Sequence, residues 1–209
     1  MSESRAYDMT TAYYDRHADG YDEVRGGLER AAAAAEAIVA LAPGKGLPDR
    51  GRCLDVAGGT GTVSAALAAR GWSVTVADLS AGMIRLAAER LPGRAIRASA
   101  DRLPVADATI DLVTVIWMLN LIPTSLVETV ITEAARALAP GGHLVVTVDK
   151  ELAHDASATD LTDGDERVTA IAATVGLERD GTTTFSGRSP WGSATDGDPV
   201  FRLAAFRRL

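Results

Sequence analysis

The chain has 209 residues, which is enough for one domain with its own core and too few for two enzymatic domains. Apolar residues make up 47% of the sequence and charged residues 23%, and this balance is typical of a globular protein rather than a disordered or fibrous one. The 28 acidic residues outnumber the 21 Lys and Arg and give a net charge of −7. An acidic chain is poorly suited to binding phosphate backbones, so nucleic acid is not expected as its main ligand.

Cysteine and histidine are scarce. Cys53 is the single cysteine, which excludes an intramolecular disulfide and a CxxC metal site and is typical of a reducing cytoplasm. The three histidines are far apart in the sequence, so no zinc site is predicted. No apolar run reaches the ~18 residues that cross a bilayer, and residues 1–15 lack the pattern of a signal peptide. We therefore expect a cytoplasmic protein with no membrane partner and no metal.

The pattern of apolar and helix-forming residues predicts a helical opening followed by alternating strands and helices. The alanine-rich stretch 30–36 indicates a helix, and a Pro/Gly-rich break follows at 43–48. Strands are predicted at Arg52–Ala57, Ser73–Asp78, Arg94–Ser99, Ile110–Trp117, His143–Asp149, Leu177–Thr183 and Val200–Arg207, and helices at Thr62–Arg70, Ala81–Arg90, Ser125–Leu138 and Asp165–Val175. This alternation predicts an α/β fold with a single, mostly parallel sheet of seven strands, an antiparallel last strand and helices on both faces.

A glycine cluster follows the first predicted strand, in the segment Asp55-Val56-Ala57-Gly58-Gly59-Thr60-Gly61. Glycine permits a positive φ in such a turn and lets a ligand approach the backbone closely. The second predicted strand ends at Asp78. Because the carboxyl ends of parallel strands share one edge of the sheet, its carboxylate is expected at the same crevice, where it can accept hydrogen bonds from ribose hydroxyls. These features predict a cofactor that contains a nucleoside.

The carboxylate of Asp55, three residues before the first glycine, favours one class of nucleoside. It would repel a pyrophosphate and would attract an ammonium group, either directly or through water. S-adenosylmethionine carries both an α-amino group and a sulfonium, so the residues favour it over a dinucleotide. The Tyr-x-x-x-Lys pair of a nicotinamide-dependent short oxidoreductase is absent from the sequence, since the only lysines are Lys45 and Lys150 and no tyrosine follows Tyr21.

Several motifs together resemble those of the class I, Rossmann-like S-adenosylmethionine-dependent methyltransferases. The segment 55–61 resembles their first motif, with Ala57 where many members have glycine, and Asp78-Leu79-Ser80-Ala81-Gly82-Met83 resembles their ribose-binding turn. Residues 98–111 are similar to the segment that contacts adenine. The opening Tyr13-Tyr14-Asp15-Arg16-His17-Ala18-Asp19-Gly20-Tyr21-Asp22 is similar to the start of the small-molecule, quinone-biosynthesis type.

The resemblance implies a set of residues that bind S-adenosylmethionine. The set consists of Tyr14, Asp55, Ala57, Gly58, Gly59, Gly61, Asp78, Leu79, Met83, Ser99, Ala100, Asp101 and Trp117. Within it, Leu79 and Met83 would pack against the adenine and Ala100 would offer its backbone. Either Ser99 or Asp101 would contact the exocyclic amine.

The resemblance also implies one methyltransferase domain over residues 1–209. A helical lid would occupy 1–45, the cofactor-binding core 50–150, and a segment that completes the sheet on the substrate side 151–209. The implied activity is transfer of a methyl group to an oxygen or nitrogen atom of a small-molecule acceptor in secondary metabolite biosynthesis. The connections leave no room for a cap domain, so the first forty residues or the loop around 150–165 would roof the cavity. We expect a monomer or a homodimer.

Methyl transfer from a sulfonium is an in-line displacement with an excellent leaving group, so positioning is the main contribution expected from the protein. A general base would increase the rate where the acceptor has to lose a proton. The candidate catalytic residues are Tyr14, His17 and His154, and the candidate substrate-binding residues are Tyr13, His17, Asn120, Lys150 and His154.

Each of these candidates has a structural alternative. Tyr13 and Tyr14 are either contacts to the cofactor and acceptor or packing aromatics of a helix. His17 is either a base or a surface residue, and His154 is either a base or an exposed loop residue. Asn120 cannot accept a proton at neutral pH, although its amide can orient a substrate.

Two other functions remain compatible with the same motifs. One is a regulatory subunit that binds the cofactor without transferring its methyl group. The other is a methyltransferase that acts on a protein, because a fold does not determine the acceptor.

Overall fold

The computed structural model describes residues 11–25, 27–46, 49–149, 163–187 and 200–209. The helices are α1 (11–17), α2 (Tyr21–Val24), α3 (Gly27–Leu41), α4 (Thr62–Ala68), α5 (Ala81–Arg90), α6 (Thr124–Ala137) and α7 (Asp165–Thr174). The strands are β1 (Gly51–Val56), β2 (Trp72–Asp78), β3 (Ala95–Arg97), β4 (Ile110–Val115), β5 (Leu138–Val148), β6 (Leu177–Ser186) and β7 (Val200–Arg208). A turn of 3₁₀ helix covers Leu119–Leu121.

The seven strands form one sheet in the order β3-β2-β1-β4-β5-β7-β6. Strands β1 to β5 pair in parallel, and β7 is antiparallel to both of its neighbours, β5 and β6. This topology confirms the predicted Rossmann-like α/β fold with its antiparallel last strand. Strand β1 lies at the centre of the parallel part, where Asp55 is opposite Val76 of β2 on one side and Thr114 of β4 on the other.

Both faces of the sheet are buried, because side chains that alternate along each parallel strand enter two separate hydrophobic clusters. Leu54 and Val113 belong to the cluster that α6 and α7 cover. Cys53 and Leu112, their neighbours in sequence, belong to the cluster that α3 and α4 cover. Cys53 is 1% exposed, and burial raises the pKa of its thiol well above the ordinary value, so this cysteine is part of the core.

Four predicted strand ends differ from the structure by two residues or more. Strand β3 ends at Arg97 instead of Ser99, and β6 ends at Ser186 instead of Thr183. Strand β4 ends at Val115 instead of Trp117, because Trp117 has a φ of +59° that an extended strand does not allow. Strand β5 begins at Leu138 instead of His143, since Leu138 already pairs with Ile110 before the register shifts. Gly141 and Gly142 therefore lie within β5, in its irregular part, and do not simply close a turn before it. Among the described residues, no helix has the length and apolar character needed to cross a membrane.

The loop between β3 and β4 is fixed to α6 by Arg136. Its guanidinium donates to both carboxylate oxygens of Glu133 at 2.9 Å, to the carbonyl oxygens of Leu103 and Val105 at 3.1 and 2.9 Å, and to Asp107 at 2.5 Å. Glu133 also accepts a hydrogen bond from the Leu103 backbone N–H at 2.9 Å. Arg136 and Glu133 together thus satisfy backbone groups of a loop that has no regular structure of its own.

We predict that Arg136→Met lowers the free energy of unfolding by about 2 kcal/mol, because it leaves partly buried carbonyl and carboxylate groups without a donor. Urea unfolding measures the loss. Arg85→Met is the matched control, since Arg85 pairs with Asp19 and Glu89 on the surface and is expected to cost less than about 1 kcal/mol. Equal losses in the two variants would show that the Arg136 contacts add nothing to stability.

Candidate functional site

A cavity opens at the carboxyl ends of the parallel strands, where β1 and β4 lie side by side. The chain supplies its walls from four regions. The cavity is lined by Thr11, Tyr14, Tyr21, Asp22, Arg25, Gly27, Arg30 and Ala31 from the N-terminal helices, by Asp55, Ala57, Gly58, Gly59, Thr60, Thr62 and Val63 around the glycine turn, by Asp78, Leu79, Ser80 and Met83 after β2, and by Ala98, Ala100, Ile116, Trp117, Met118, Leu121 and Ile122 after β3 and β4.

The glycine turn after β1 forms a backbone cradle with room for a ligand. Gly59 has a φ of +57°, and a Cβ atom built on it would find only the sulfur of Met83, at 3.9 Å. Gly58 has no room for a side chain, because a Cβ atom there would lie 2.8 Å from the buried Asp55 Oδ2. Ala57 adopts a φ of +54° in this turn, where glycine would be free of strain. The open space above Gly59 fits a group that packs directly on the backbone.

Gly61 does not line the cavity, although the sequence analysis includes it in the binding set. It is the N-cap of α4, with a φ of +77°, and a Cβ atom there would lie 3.3 Å from Ala87 of α5. The role that the structure gives this glycine is close packing of α4 against α5.

Asp78, at the end of β2, links the glycine turn to the turn that follows β2. Its Oδ2 accepts a hydrogen bond from the Gly59 backbone N–H at 2.9 Å, and its Oδ1 accepts one from the Ser80 backbone N–H at 2.8 Å. Burial raises the pKa of Asp78, and the backbone donors oppose that rise. Each carboxylate oxygen has a second lone pair for a ligand hydroxyl, so the geometry agrees with the predicted ribose contact.

Asp55 lies beneath the glycine turn and is 1% exposed. Its Oδ2 accepts a hydrogen bond from the Ser64 hydroxyl at 2.5 Å, and its Oδ1 accepts one from the Thr114 hydroxyl at 2.7 Å. Burial raises the pKa of this carboxyl group to about 6. Both carboxylate oxygens of Asp55 are thus bonded within the protein. A cation in the cavity would be attracted by the charge of Asp55 through the turn and would not contact a fully exposed carboxylate. Its contact with an ammonium group stays a prediction.

The N-terminal segment is held over the cavity by two aspartates. Asp15 accepts hydrogen bonds from the Ser80 hydroxyl at 2.6 Å and from the Gly82 backbone N–H at 3.0 Å. Asp22 accepts one from the Thr60 hydroxyl at 2.5 Å and pairs with Arg90 at 2.8 Å. Sequence reasoning singled out the tyrosines and the histidine of this segment and missed the aspartates, although both belong to the repeated Tyr-Asp pattern that gave the signal.

Tyr14 lines the cavity, and its ring lies 5.8 Å from that of Tyr21. Burial raises the pKa of both hydroxyls above the ordinary value, well above it for Tyr14. The Tyr14 hydroxyl is therefore neutral at physiological pH. It can donate a hydrogen bond to a ligand, and its catalytic role stays a prediction.

His17 and Tyr13 lie outside the cavity lining. The rings of Tyr13 and His17 are stacked with centroids 4.2 Å apart, and His17 Nδ1 is 2.8 Å from the Tyr13 carbonyl oxygen. Tyr13 is 43% exposed, and His17 is exposed as well. Of the two alternatives for His17, its exposure favours a surface residue, because the helix turns both His17 and Tyr13 outward; a role of His17 as a base stays a prediction.

The remaining predicted residues divide between the cavity and its surroundings. Leu79, Met83, Ala100 and Trp117 line the cavity, whereas Ser99, Asp101 and Asn120 do not. The amide atoms of Asn120 are buried and have no hydrogen-bond partner among the described residues. Lys150 and His154 lie outside the described residues. Within the described ranges, no group of three or more His, Cys, Asp or Glu is arranged to hold a metal ion.

The turn after β4 carries an unusual tryptophan. Trp117 combines its φ of +59° with a hydrogen bond from its backbone N–H to the Thr147 hydroxyl oxygen at 2.5 Å. A bulky residue in the left-handed region is a backbone outlier, and such outliers concentrate at functional sites. The guanidinium of Arg30 lies over its ring, 4.0 Å from the centroid. Arg25, just before α3, and Arg30, within α3, carry no sequence motif that marks them as part of a site.

We predict that the pH dependence of stability contains a contribution from Asp55. Its pKa in the folded chain, about 6, exceeds the ordinary value of 3.8, so the folded state holds this proton more tightly than the unfolded state. That stabilisation is complete below pH ~4 and is lost as the pH rises through about 6, by at most about 3 kcal/mol. Relative to Asp55→Asn, the wild-type chain should therefore lose stability between pH ~4 and ~7.

Urea unfolding at several pH values measures this difference. Glu128→Gln is the control, because Glu128 is exposed on α6 and should keep the wild-type pH dependence. If Asp55→Asn and wild type changed in parallel over this range, Asp55 would have an ordinary pKa in the folded chain.

Residues 54–146 match the family described as "Methyltransferase domain". The chain is 42% identical over 101 residues to a demethylmenaquinone methyltransferase of Clavibacter sepedonicus, an alignment that covers 46% of this chain and 40% of the relative. It is 34% identical over 165 residues to a demethylmenaquinone methyltransferase of Parafrankia sp. (strain EAN1pec), with 66% of this chain and 62% of the relative covered. The chain thus spans about two fifths to three fifths of the length of these relatives.

The fold is also similar to solved structures. Geranyl diphosphate C-methyltransferase from Streptomyces coelicolor A3(2), solved with Mg²⁺, geranyl diphosphate and S-adenosyl-L-homocysteine, superposes with a TM-score of 0.66. Its sequence identity is 15%, and the match covers 85% of this chain and 79% of that one. At this identity the likeness concerns the fold alone.

Proposed function

We propose that the chain binds S-adenosylmethionine and transfers its methyl group to a small-molecule acceptor, because residues 54–146 match the methyltransferase-domain family and the sheet has the class I, Rossmann-like topology. The observation that carries the proposal is the arrangement of Asp78 and the glycine turn. A carboxylate at the end of β2 and an open backbone cradle at Gly59 lie on the same edge of the sheet, joined by a hydrogen bond of 2.9 Å.

The residues at the cavity fit the parts of this cofactor. Asp78 would accept hydrogen bonds from the ribose hydroxyls. The open space at Gly59 would let the cofactor pack directly against the protein backbone of the glycine turn. Leu79 and Met83 would pack against the adenine, since both line the cavity beyond β2. The buried charge of Asp55 would favour the cationic methionine end. When bound, S-adenosylmethionine supplies an electrophilic methyl carbon attached to a sulfonium.

The chain contributes positioning and exclusion of water. Asp15 and Asp22 hold α1 and α2 against the loops that bind the cofactor, so the lid closes one side of the cavity. The neutral hydroxyl of Tyr14 donates a hydrogen bond to a carboxylate or to the acceptor. Among the described residues that line the cavity there is no histidine. Orientation of the acceptor, which supplies up to roughly 7–11 kcal/mol in well-aligned reactions, is therefore the main catalytic contribution that we assign to the protein.

Oxygen or nitrogen is the acceptor atom in this proposal, and secondary metabolism in the cytoplasm is its setting. The acidic composition and the short connections between elements support a small acceptor over a macromolecule. Carbon is the alternative acceptor atom, because the relatives include quinone-biosynthesis enzymes and the superposed structure is that of a C-methyltransferase.

We predict that Asp78→Ala weakens the binding of S-adenosylhomocysteine at least tenfold, because the loss of hydrogen bonds to a charged group costs about 1.5–3 kcal/mol. Isothermal titration calorimetry measures the affinity. Glu128→Ala, an exposed acidic residue on α6, is the matched control and should bind as the wild type does. Unchanged affinity in Asp78→Ala would refute the ribose assignment.

Methyl transfer itself is tested with S-adenosylmethionine labelled on its methyl group and fractionated small-molecule extracts. The purified chain should transfer label to a small molecule, and a heat-denatured sample should not. Binding of the cofactor without transfer to any small molecule would contradict the proposed activity and would indicate a regulatory subunit or a protein methyltransferase.

A further inference from the structure

Two guanidinium groups line the cavity without an anionic partner among the residues that the structure describes. Arg30 of α3 is partly buried, and Arg25 lies just before α3 with its guanidinium 5.9 Å from the centre of the Tyr21 ring. Neither side chain makes an ion pair or donates a hydrogen bond to any described residue. Both guanidinium groups lie over aromatic rings. A charge that is partly removed from water gains from a partner, so both groups are available to an anion.

The carboxylates of the cavity do not supply that partner. Asp22 pairs with Arg90, and Asp78 accepts backbone hydrogen bonds from the turns on either side of it. Asp55 is enclosed by its two hydroxyl donors beneath the glycine turn. Negative charge in the cavity is therefore concentrated at the ends of β1 and β2 and in the lid above them. Arg30 lies over Trp117, within electrostatic range of Tyr21, Arg25 and Asp22 but without an ion pair to Asp22.

Arg30 lies on the acceptor side of the cavity. Its guanidinium is 4.0 Å from the Trp117 ring centre, after β4, and 5.8 Å from the Phe201 ring centre, on β7. Its side chain packs on Gly187 after β6, where a Cβ atom would lie 2.6 Å from Arg30 Cγ. In the sheet order, β7 and β6 lie beyond β4, away from β1 and β2 where the cofactor is proposed to bind.

The number of charges leads to the same assignment. S-adenosylmethionine carries one carboxylate, and the cavity has two guanidinium groups without an anion among the described residues. A carboxylate that forms a bidentate pair engages one guanidinium, and Arg25 is the one whose guanidinium lies over the Tyr21 ring of the lid, 5.9 Å from its centre. Arg30, next to Trp117 and the aromatic pair Phe185 and Phe201, is left for a second anion.

The surroundings of Arg30 also restrict the shape of that anion. The wall after β4 is apolar, formed by Met118, Leu121 and Ile122 together with the Trp117 ring. A guanidinium that lies over an indole ring keeps N–H donors for a carboxylate, which it can bind through two parallel hydrogen bonds. This combination fits a ligand with an apolar or planar body and a carboxylate at one end.

We propose that the methyl acceptor carries a carboxylate group and that Arg30 binds it, with the apolar body of the acceptor against Trp117. The proposal rests on the proposed function, since it assigns one part of the same cavity to the acceptor. Arg30 is a specificity-determining residue in this account: it selects anionic acceptors and fixes how they present the atom that receives the methyl group.

The test compares acids with their amides on the full chain saturated with S-adenosylhomocysteine. The probes are 1-naphthoate with 1-naphthamide, and 4-hydroxybenzoate with 4-hydroxybenzamide. Saturation-transfer NMR and calorimetry measure their affinities for the wild type, Arg30→Met, Arg30→Lys and Arg25→Met. Circular dichroism and thermal unfolding establish whether each variant is folded. If Arg30→Met does not fold, Arg30→Lys serves as the milder change.

We expect the wild type to bind at least one acid tenfold or more tightly than its amide. Arg30→Met should abolish this preference, Arg30→Lys should reduce it, and Arg25→Met should retain it. The proposal is overturned if the wild type prefers neither acid, or if Arg25→Met removes the preference and Arg30→Met keeps it.

A separate titration distinguishes the acceptor from the cofactor as the source of the carboxylate. Arg30→Met should bind S-adenosylhomocysteine within twofold of the wild type. A tenfold loss for S-adenosylhomocysteine with no loss for 5′-methylthioadenosine, which lacks the carboxylate, would assign Arg30 to the cofactor and overturn the proposal. Failure of the wild type to bind S-adenosylhomocysteine at all would refute the proposed function instead, so the two failures are distinguishable.

Discussion

The change in strand order between β1 and β4 is the constraint on which the site depends. From β1 the chain adds β2 and β3 on one side and then returns to place β4 on the other. The helices that follow β1 and β4 cover opposite faces of the sheet, so the loops at the carboxyl ends of these two strands diverge and leave a crevice. Asp55, Asp78 and Trp117 meet at this crevice although they lie far apart in the sequence.

The polar groups in the crevice are distributed unevenly. On the side of β1 and β2, Asp55 and Asp78 are fixed by short hydrogen bonds within the protein, which preserves their positions before a ligand enters. On the side of β4 and β7, Arg30 is held by aromatic rings and keeps its hydrogen-bond donors free of the described residues. A preorganised negative side and an available positive side suit one ligand with a cationic end and another with a carboxylate.

The sequence was sufficient to predict the fold and to bring Asp78 to the crevice, because strand periodicity and the position of Asp78 at the end of β2 depend on local pattern. It was insufficient where tertiary contacts decide the outcome. The apolar run of β4 gave no sign that Trp117 adopts a positive φ, which its hydrogen bond to Thr147 accompanies. The helical spacing of His17 and Tyr14 did not reveal which of them faces inward. Arg30 is functional in this account only because β7 brings Phe201 beside it.

A crystal structure of the chain with S-adenosylhomocysteine tests the central claim most directly, because the claim concerns where each end of the cofactor lies. The account predicts that the ribose hydroxyls donate hydrogen bonds to the Asp78 carboxylate and that the amino group lies above the end of β1 that contains Asp55. A ribose bound elsewhere, or a crevice that admits NADH and excludes S-adenosylhomocysteine, would contradict it.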